Sequence, residues 1–129
     1  MKNIFFLIFS GSLLFLPIDV FGEDRNLMKL DMTGNCTGCN LEKVYLSGKN
    51  LSEAVLNEAN LSGANLSSAT ITANLINANL SGADLSRANL SGSDLSGANL
   101  ENAILKKFIT TNTIFCNTKF PWGIDNSGC

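Results

Sequence analysis

The chain has 129 residues, with nine Lys and Arg against eleven Asp and Glu, no His, and a net charge of −2. So mild a balance excludes a polybasic grip on nucleic acid or on an anionic membrane. The missing histidine removes the commonest general base and a common zinc ligand, and the length sets one domain as the prior.

Residues 1–22 read as a secretory signal peptide. Lys2 supplies the positive start, and Ile4 to Leu16 is an apolar run too short for a comfortable membrane span. Pro17 ends it, and Val20-Phe21-Gly22 offers small or tolerated residues for cleavage after Gly22. No Cys lies near that point, which disfavours a lipid anchor. No second apolar run follows, so the mature chain is expected to be soluble in a bacterial periplasm or the medium, with no membrane partner and disulfides intact.

Residues 23–38 form a lead-in and N-terminal cap. It ends in Cys36-Thr37-Gly38-Cys39, and two more cysteines, Cys116 and Cys129, lie near the C-terminus. An even count in an exported chain indicates a disulfide framework with three connectivities open. Cys-x-x-Cys also invites redox, haem and zinc readings. A redox pair needs a helix N-terminus or a base to lower its thiol pKa, but a repeat strand follows. Haem attachment needs a His where Asn40 stands, and zinc would need a His or the meeting of both Cys pairs. No cofactor or metal is expected.

From residue 39 to 117 a five-residue pattern governs the chain. Its apolar anchors are Leu41, Leu46, Leu51, Leu56, Leu61, Leu66 and Ile71, and then Leu75, Leu80, Leu85, Leu90, Leu95, Leu100 and Leu105. One residue is missing around Thr72. Two positions before most anchors stands Ala, with Asn or Asp between, and Ser and often Gly after. Period five fits neither helix nor plain strand. In an extended segment Ala and Leu point to one side and Asn or Asp to the other, and Ser-Gly makes a bend. Such a unit cannot bury its Leu alone and must stack on copies of itself.

Runs such as Ala59-Asn60-Leu61-Ser62-Gly63 and Ala83-Asp84-Leu85-Ser86-Arg87 resemble the A(D/N)LXX signature of pentapeptide-repeat proteins. The resemblance implies an all-β fold, a right-handed quadrilateral β-helix in which four fives make one square coil. About four coils follow: 39–58, 59–77, 78–97 and 98–117, with residues 118–129 as the C-terminal cap. The anchors then fall into four columns: Leu41, Leu61, Leu80, Leu100; Leu46, Leu66, Leu85, Leu105; Leu51, Ile71, Leu90, Thr110; and Leu56, Leu75, Leu95, Phe115. On that coil the cysteines lie in pairs at opposite ends. The expected bonds are therefore Cys36–Cys39 and Cys116–Cys129, pinning both ends.

The pattern decays at those ends. Lys49 stands in an inward position and is expected to reach out through the open end or a corner. Ile104, Ile109 and Ile114 take outward positions as an apolar belt, which the cap with Phe120, Pro121 and Trp122 is expected to cover in part. Its alternative use is a partner contact or a homodimer through the C-terminal coil. Arg87, Lys106 and Lys107 form a small basic spot, near Asp84, that could meet a carboxylate, a phosphate or an anionic envelope polymer. Asp84 and Asp94 sit on different faces, so they cannot work as an acid–base pair. The repeat serines have no base. The expected function is an exported, non-catalytic structural or interaction module whose flat faces meet a protein or envelope polymer. The alternatives are a DNA mimic acting on topoisomerase, which export and mild charge disfavour, and an envelope thiol-redox protein using Cys36 and Cys39.

Overall fold

The computed structural model describes residues 4–9, 12–17 and 24–129. Strands β1 (Ile4–Phe9) and β2 (Ser12–Pro17) pair antiparallel, Ile4 opposite Pro17 and Phe9 opposite Ser12. The expected cleavage point after Gly22 lies outside the described residues. Among those residues no helix is long and apolar enough to cross a membrane.

The first departure from an all-β chain is α1 (Asp24–Thr33). Leu27 and Leu30 stand three apart, which puts them on one face of the helix. Leu30 is buried and Leu27 packs on the same cluster, while Met28 and Met32 face solvent. Gly34 ends the helix: its φ is +66°, and its N–H donates to the Leu30 carbonyl at 2.9 Å. Asn26 Nδ2 donates to the Asn40 carbonyl at 3.0 Å, which ties the helix to the first rung. Lys49 does leave the core, and its Nζ reaches Asp31 of this helix at 2.7 Å. Both partners are more than a third exposed, so the pair contributes little, about 0.5 kcal/mol or less.

Beyond α1 the chain climbs by parallel bridges. Asn40 pairs with Asn60, Asn60 with Asn79, and Asn79 with Asn99; Tyr45, Asn65, Asp84 and Ile104 form the next series. Bridges run from Asn35, four residues ahead of the Cys39 where the repeat count begins, down to Lys119. Partners are 20 residues apart except across Thr72, where they are 19 apart. Each bridged residue stands just before an anchor, so the anchors stack: Leu61 is fully buried above Leu80, and Leu80 above Leu100. Leu41 to Leu100 and the alanines between them form one continuous core.

The corners explain the polar residues. After each anchor the chain turns, and the inward small residue donates to the anchor carbonyl, as Ala59 does to Leu56 at 3.1 Å and Ala88 to Leu85 at 3.0 Å. The outward Asn or Asp accepts from the N–H two residues on. Asn60 takes that of Ser62 at 3.1 Å, and Asn79 that of Ser81 at 3.1 Å. This is an Asx turn, so the side chain serves the backbone as well as solvent.

The missing residue breaks one corner. Ala73 lies only two residues after Ile71, too close to close the usual turn on its carbonyl. Ser93, fully buried one coil below in a position that Ala holds in most repeats, repairs it. Its hydroxyl donates to the Ile71 carbonyl and accepts from the Ala73 N–H at 3.3 Å. Ser93→Ala would leave a buried donor and a buried acceptor unpaired. It should cost about 1–3 kcal/mol by urea denaturation, whereas Ser91→Ala, on the surface, should cost under about 0.5 kcal/mol. Equal midpoints for the two variants would remove this role.

Strands β3 (Thr118–Phe120) and β4 (Gly123–Asp125) form a hairpin over the far end. Phe120 continues the Leu41 column and is 5% exposed. The Thr118 and Thr113 hydroxyls each donate at 2.8 Å, to the Leu95 and Leu90 carbonyls. The expected partial cover over the isoleucines is slight and falls on Ile114, against which Gly128 of the cap lies. Ile104, Ile109 and Ile114 are 51%, 50% and 43% exposed, and Trp122 is 70% exposed. The hairpin lies over the end of the core, with Trp122 stacked on Phe120 at 4.9 Å, while the isoleucines point sideways from three different faces.

Candidate functional site

Arg87 and Lys107 occupy the same corner in successive rungs, and the Arg87 N–H donates to the Lys106 carbonyl at 2.8 Å. Ser68 stands one rung above, its N–H bonded to the Ser86 carbonyl at 2.8 Å. All three corner residues take left-handed backbone: Ser68 at φ +58°, Arg87 at +60° and Lys107 at +56°. The structure thus brings Arg87, Lys106 and Lys107 together. With Ser67, Ser68 and Ser86 they line a surface groove of about 500 Å³.

Asp84 does not neutralise this spot. Its carboxylate turns back on its own corner and accepts the Ser86 N–H at 2.9 Å, and no cation lies within ion-pair distance among the described residues. The Ser86 hydroxyl and then the Ser86 N–H hold the Asp84 carboxyl below its ordinary range, against a small opposing effect of burial. A depressed folded-state pKa stabilises the protein above the unfolded value, and that contribution is lost as pH falls through the folded one. Asp84→Asn keeps the turn acceptor. It should leave stability near pH 7 within about 0.5 kcal/mol of the parent and reduce the loss below about pH 4. Urea midpoints at both pH values check this; parallel losses in parent and variant would count against it.

The other candidate residues are scattered. Ile104, Ile109 and Ile114 stand in separate series below Asp84, Asn89 and Asp94. Cys36 bonds to Cys39 and Cys116 to Cys129, with Cα separations of 5.1 and 4.9 Å. Cys36 is fully buried and Cys39 is 5% exposed, which hinders attack on the bond by an external thiolate. Asp84 and Asp94 sit in different series, bridged to Ile104 and Ile114. Among the described residues no three His, Cys, Asp or Glu side chains gather as a metal would require. Sequence reasoning missed Ser67, Ser68 and Ser86 as groove partners. The one available signal was that they stand 20, 19 and 20 residues from the cations.

The family model described as pentapeptide repeats matches residues 35–72 and 73–106, more than half of the chain. A solved pentapeptide repeat protein of Nostoc PCC 7120 is 31% identical, covers 66% of this chain and 72% of its own, and superposes with a TM-score of 0.60. A pentapeptide repeat protein of the Arabidopsis thaliana thylakoid lumen is 28% identical over 69% of this chain and 67% of its own, with a TM-score of 0.38. One from the cyanobacterium Cyanothece 51142 is 30% identical over 70% of this chain and 97% of its own, with a TM-score of 0.32. Comparison with the curated proteins finds no match.

Proposed function

We propose a function for this chain from one premise: it belongs to the pentapeptide-repeat family, whose members are mostly non-catalytic. It acts as an exported structural and interaction module, a right-handed quadrilateral β-helix of about four coils with disulfide-pinned ends. Its faces meet a protein or an envelope polymer. The observation that carries this reading is the bridge ladder from Asn35 to Lys119, along which the outward Asn and Asp side chains are engaged by their own turns. Regular faces built in that way offer shape and rigidity rather than reactive groups. Recognition falls to the residues that depart from the repeat, and a second copy could dock at the C-terminal coil. Burial of Cys36 and Cys39 weighs against the thiol-redox alternative.

The test has two parts. Cell fractionation with N-terminal sequencing should place the mature chain outside the cytoplasm and starting at Glu23. Crosslinked capture from that compartment should return a defined partner. A cytoplasmic full-length chain would remove the export reading, and an empty capture would remove the module reading.

A further inference from the structure

We propose that the corner groove of Arg87, Lys106 and Lys107 binds a tetrahedral oxyanion of the phosphate or sulfate class. The inference rests on the module reading above and names what one of its corners holds.

Three observations converge on the groove. The first is unbalanced charge. Lys43 and Lys49 have Glu42 and Asp31 as partners, but Arg87, Lys106 and Lys107 have no carboxylate within 4.0 Å among the described residues. Stacked on adjacent rungs, about 4.8 Å apart, they repel one another unless an anion lies between them.

The second is register. Arg87 and Lys107 hold the same left-handed corner on successive rungs, with Ser68 on the rung above. The shared corner brings the two cations side by side on one wall of the groove.

The third is the donor set. The guanidinium offers a planar fork, the two ammonium groups offer point charges, and Ser67, Ser68 and Ser86 complete the wall. The Ser68 hydroxyl has no hydrogen-bond partner among the described residues, unlike that of Ser67, which donates to Asn65 at 2.7 Å. A carboxylate would balance one of the three cations. A phosphate near neutral pH carries between one and two charges, a sulfate two, each spread over several acceptor oxygens, and either fits the set better.

The test uses the mature full-length protein, titrated with inorganic phosphate, sulfate and acetate by calorimetry and by amide NMR. Phosphate and sulfate should saturate and shift the amides of Ser68, Ser86, Arg87 and Lys107, and added salt should weaken them. Acetate should bind at least about tenfold more weakly, and Arg87→Gln or Lys107→Gln should each weaken phosphate about tenfold. Lys119→Gln, on another face, should leave phosphate affinity unchanged. A linear polyphosphate separates the sources. Tighter binding than monophosphate assigns the groove to a polymer, equal binding to the free ion, and both support the site. Absence of saturation, acetate binding as tight as phosphate, or an equal loss in Lys119→Gln would overturn it. An empty partner capture would sink the module reading without touching these titrations, so the two failures are separable.

Discussion

Leu80→Ala should destabilise the protein by about 3–5 kcal/mol, one of the two largest effects expected of a small change in this chain. Leu80 is fully buried at mid-column, between Leu61 and Leu100. The cost of a vacated side chain depends on how far its surroundings can collapse. Here they can move little. Backbone bonds of 2.7 Å join the Leu61 N–H of the rung above to the Asn79 carbonyl, and the Leu80 N–H to the Asn99 carbonyl of the rung below. Those bonds hold the rungs apart, so the cavity stays open. Leu105→Ala removes the same atoms from a half-buried site in the last coil, next to partly exposed Phe108, and should cost less than half as much. Urea denaturation of both variants decides the matter. A Leu105 loss equal to that of Leu80 would show that the column is not the rigid centre of the fold.

Breaking Cys116–Cys129 should cost about 3 kcal/mol, the value expected for closing a loop of roughly fifteen residues. The bond does more than close a loop. It keeps the Gly128 N–H on the Phe115 carbonyl at 2.8 Å and Asn126 Oδ1 on the Asn117 N–H at 3.0 Å. Those contacts seat the hairpin that hides Phe120. The double variant Cys116→Ser with Cys129→Ser should therefore lower the melting temperature and increase binding of an apolar dye. The two disulfides should also part in order under a mild reductant. Cys129 is exposed, whereas Cys36 and Cys39 are buried. Alkylation and mass spectrometry should find Cys116 and Cys129 labelled first. Early labelling of Cys36 would overturn that order and revive thiol chemistry at the N-terminal end.

Much of the fold was legible in the sequence because the repeat records its own packing. Anchors recurring every five residues, with one residue missing at Thr72, place the columns once the resemblance supplies four fives to a coil, and the bridges follow them. What escaped was mostly relational. Ser93 looks like one more small residue until the coil above it is known to be short. The clasp of Lys49 on Asp31 joins residues 18 apart in sequence and depends on a helix that the pattern does not encode. That helix did leave local marks, Leu27 and Leu30 on one face and Gly34 just past its end, but they are few beside so strong a repeat. The isoleucine belt is covered less than expected because the final hairpin turns Phe120 into the end of a column. For the groove, residue types gave the cations, and only the coil offset could give the serines.

The Ser93 repair also bears on how such a chain can change in length. A regular coil is interchangeable: a copy of it inserted elsewhere along the stack would meet neighbours of the same shape. The short coil and the one that carries Ser93 are not interchangeable in that way, because a hydroxyl in one completes a turn in the other. Duplication, deletion or recombination between Ala73 and Ser93 would separate the two. Along the stack, then, this pair of coils is heritable only together.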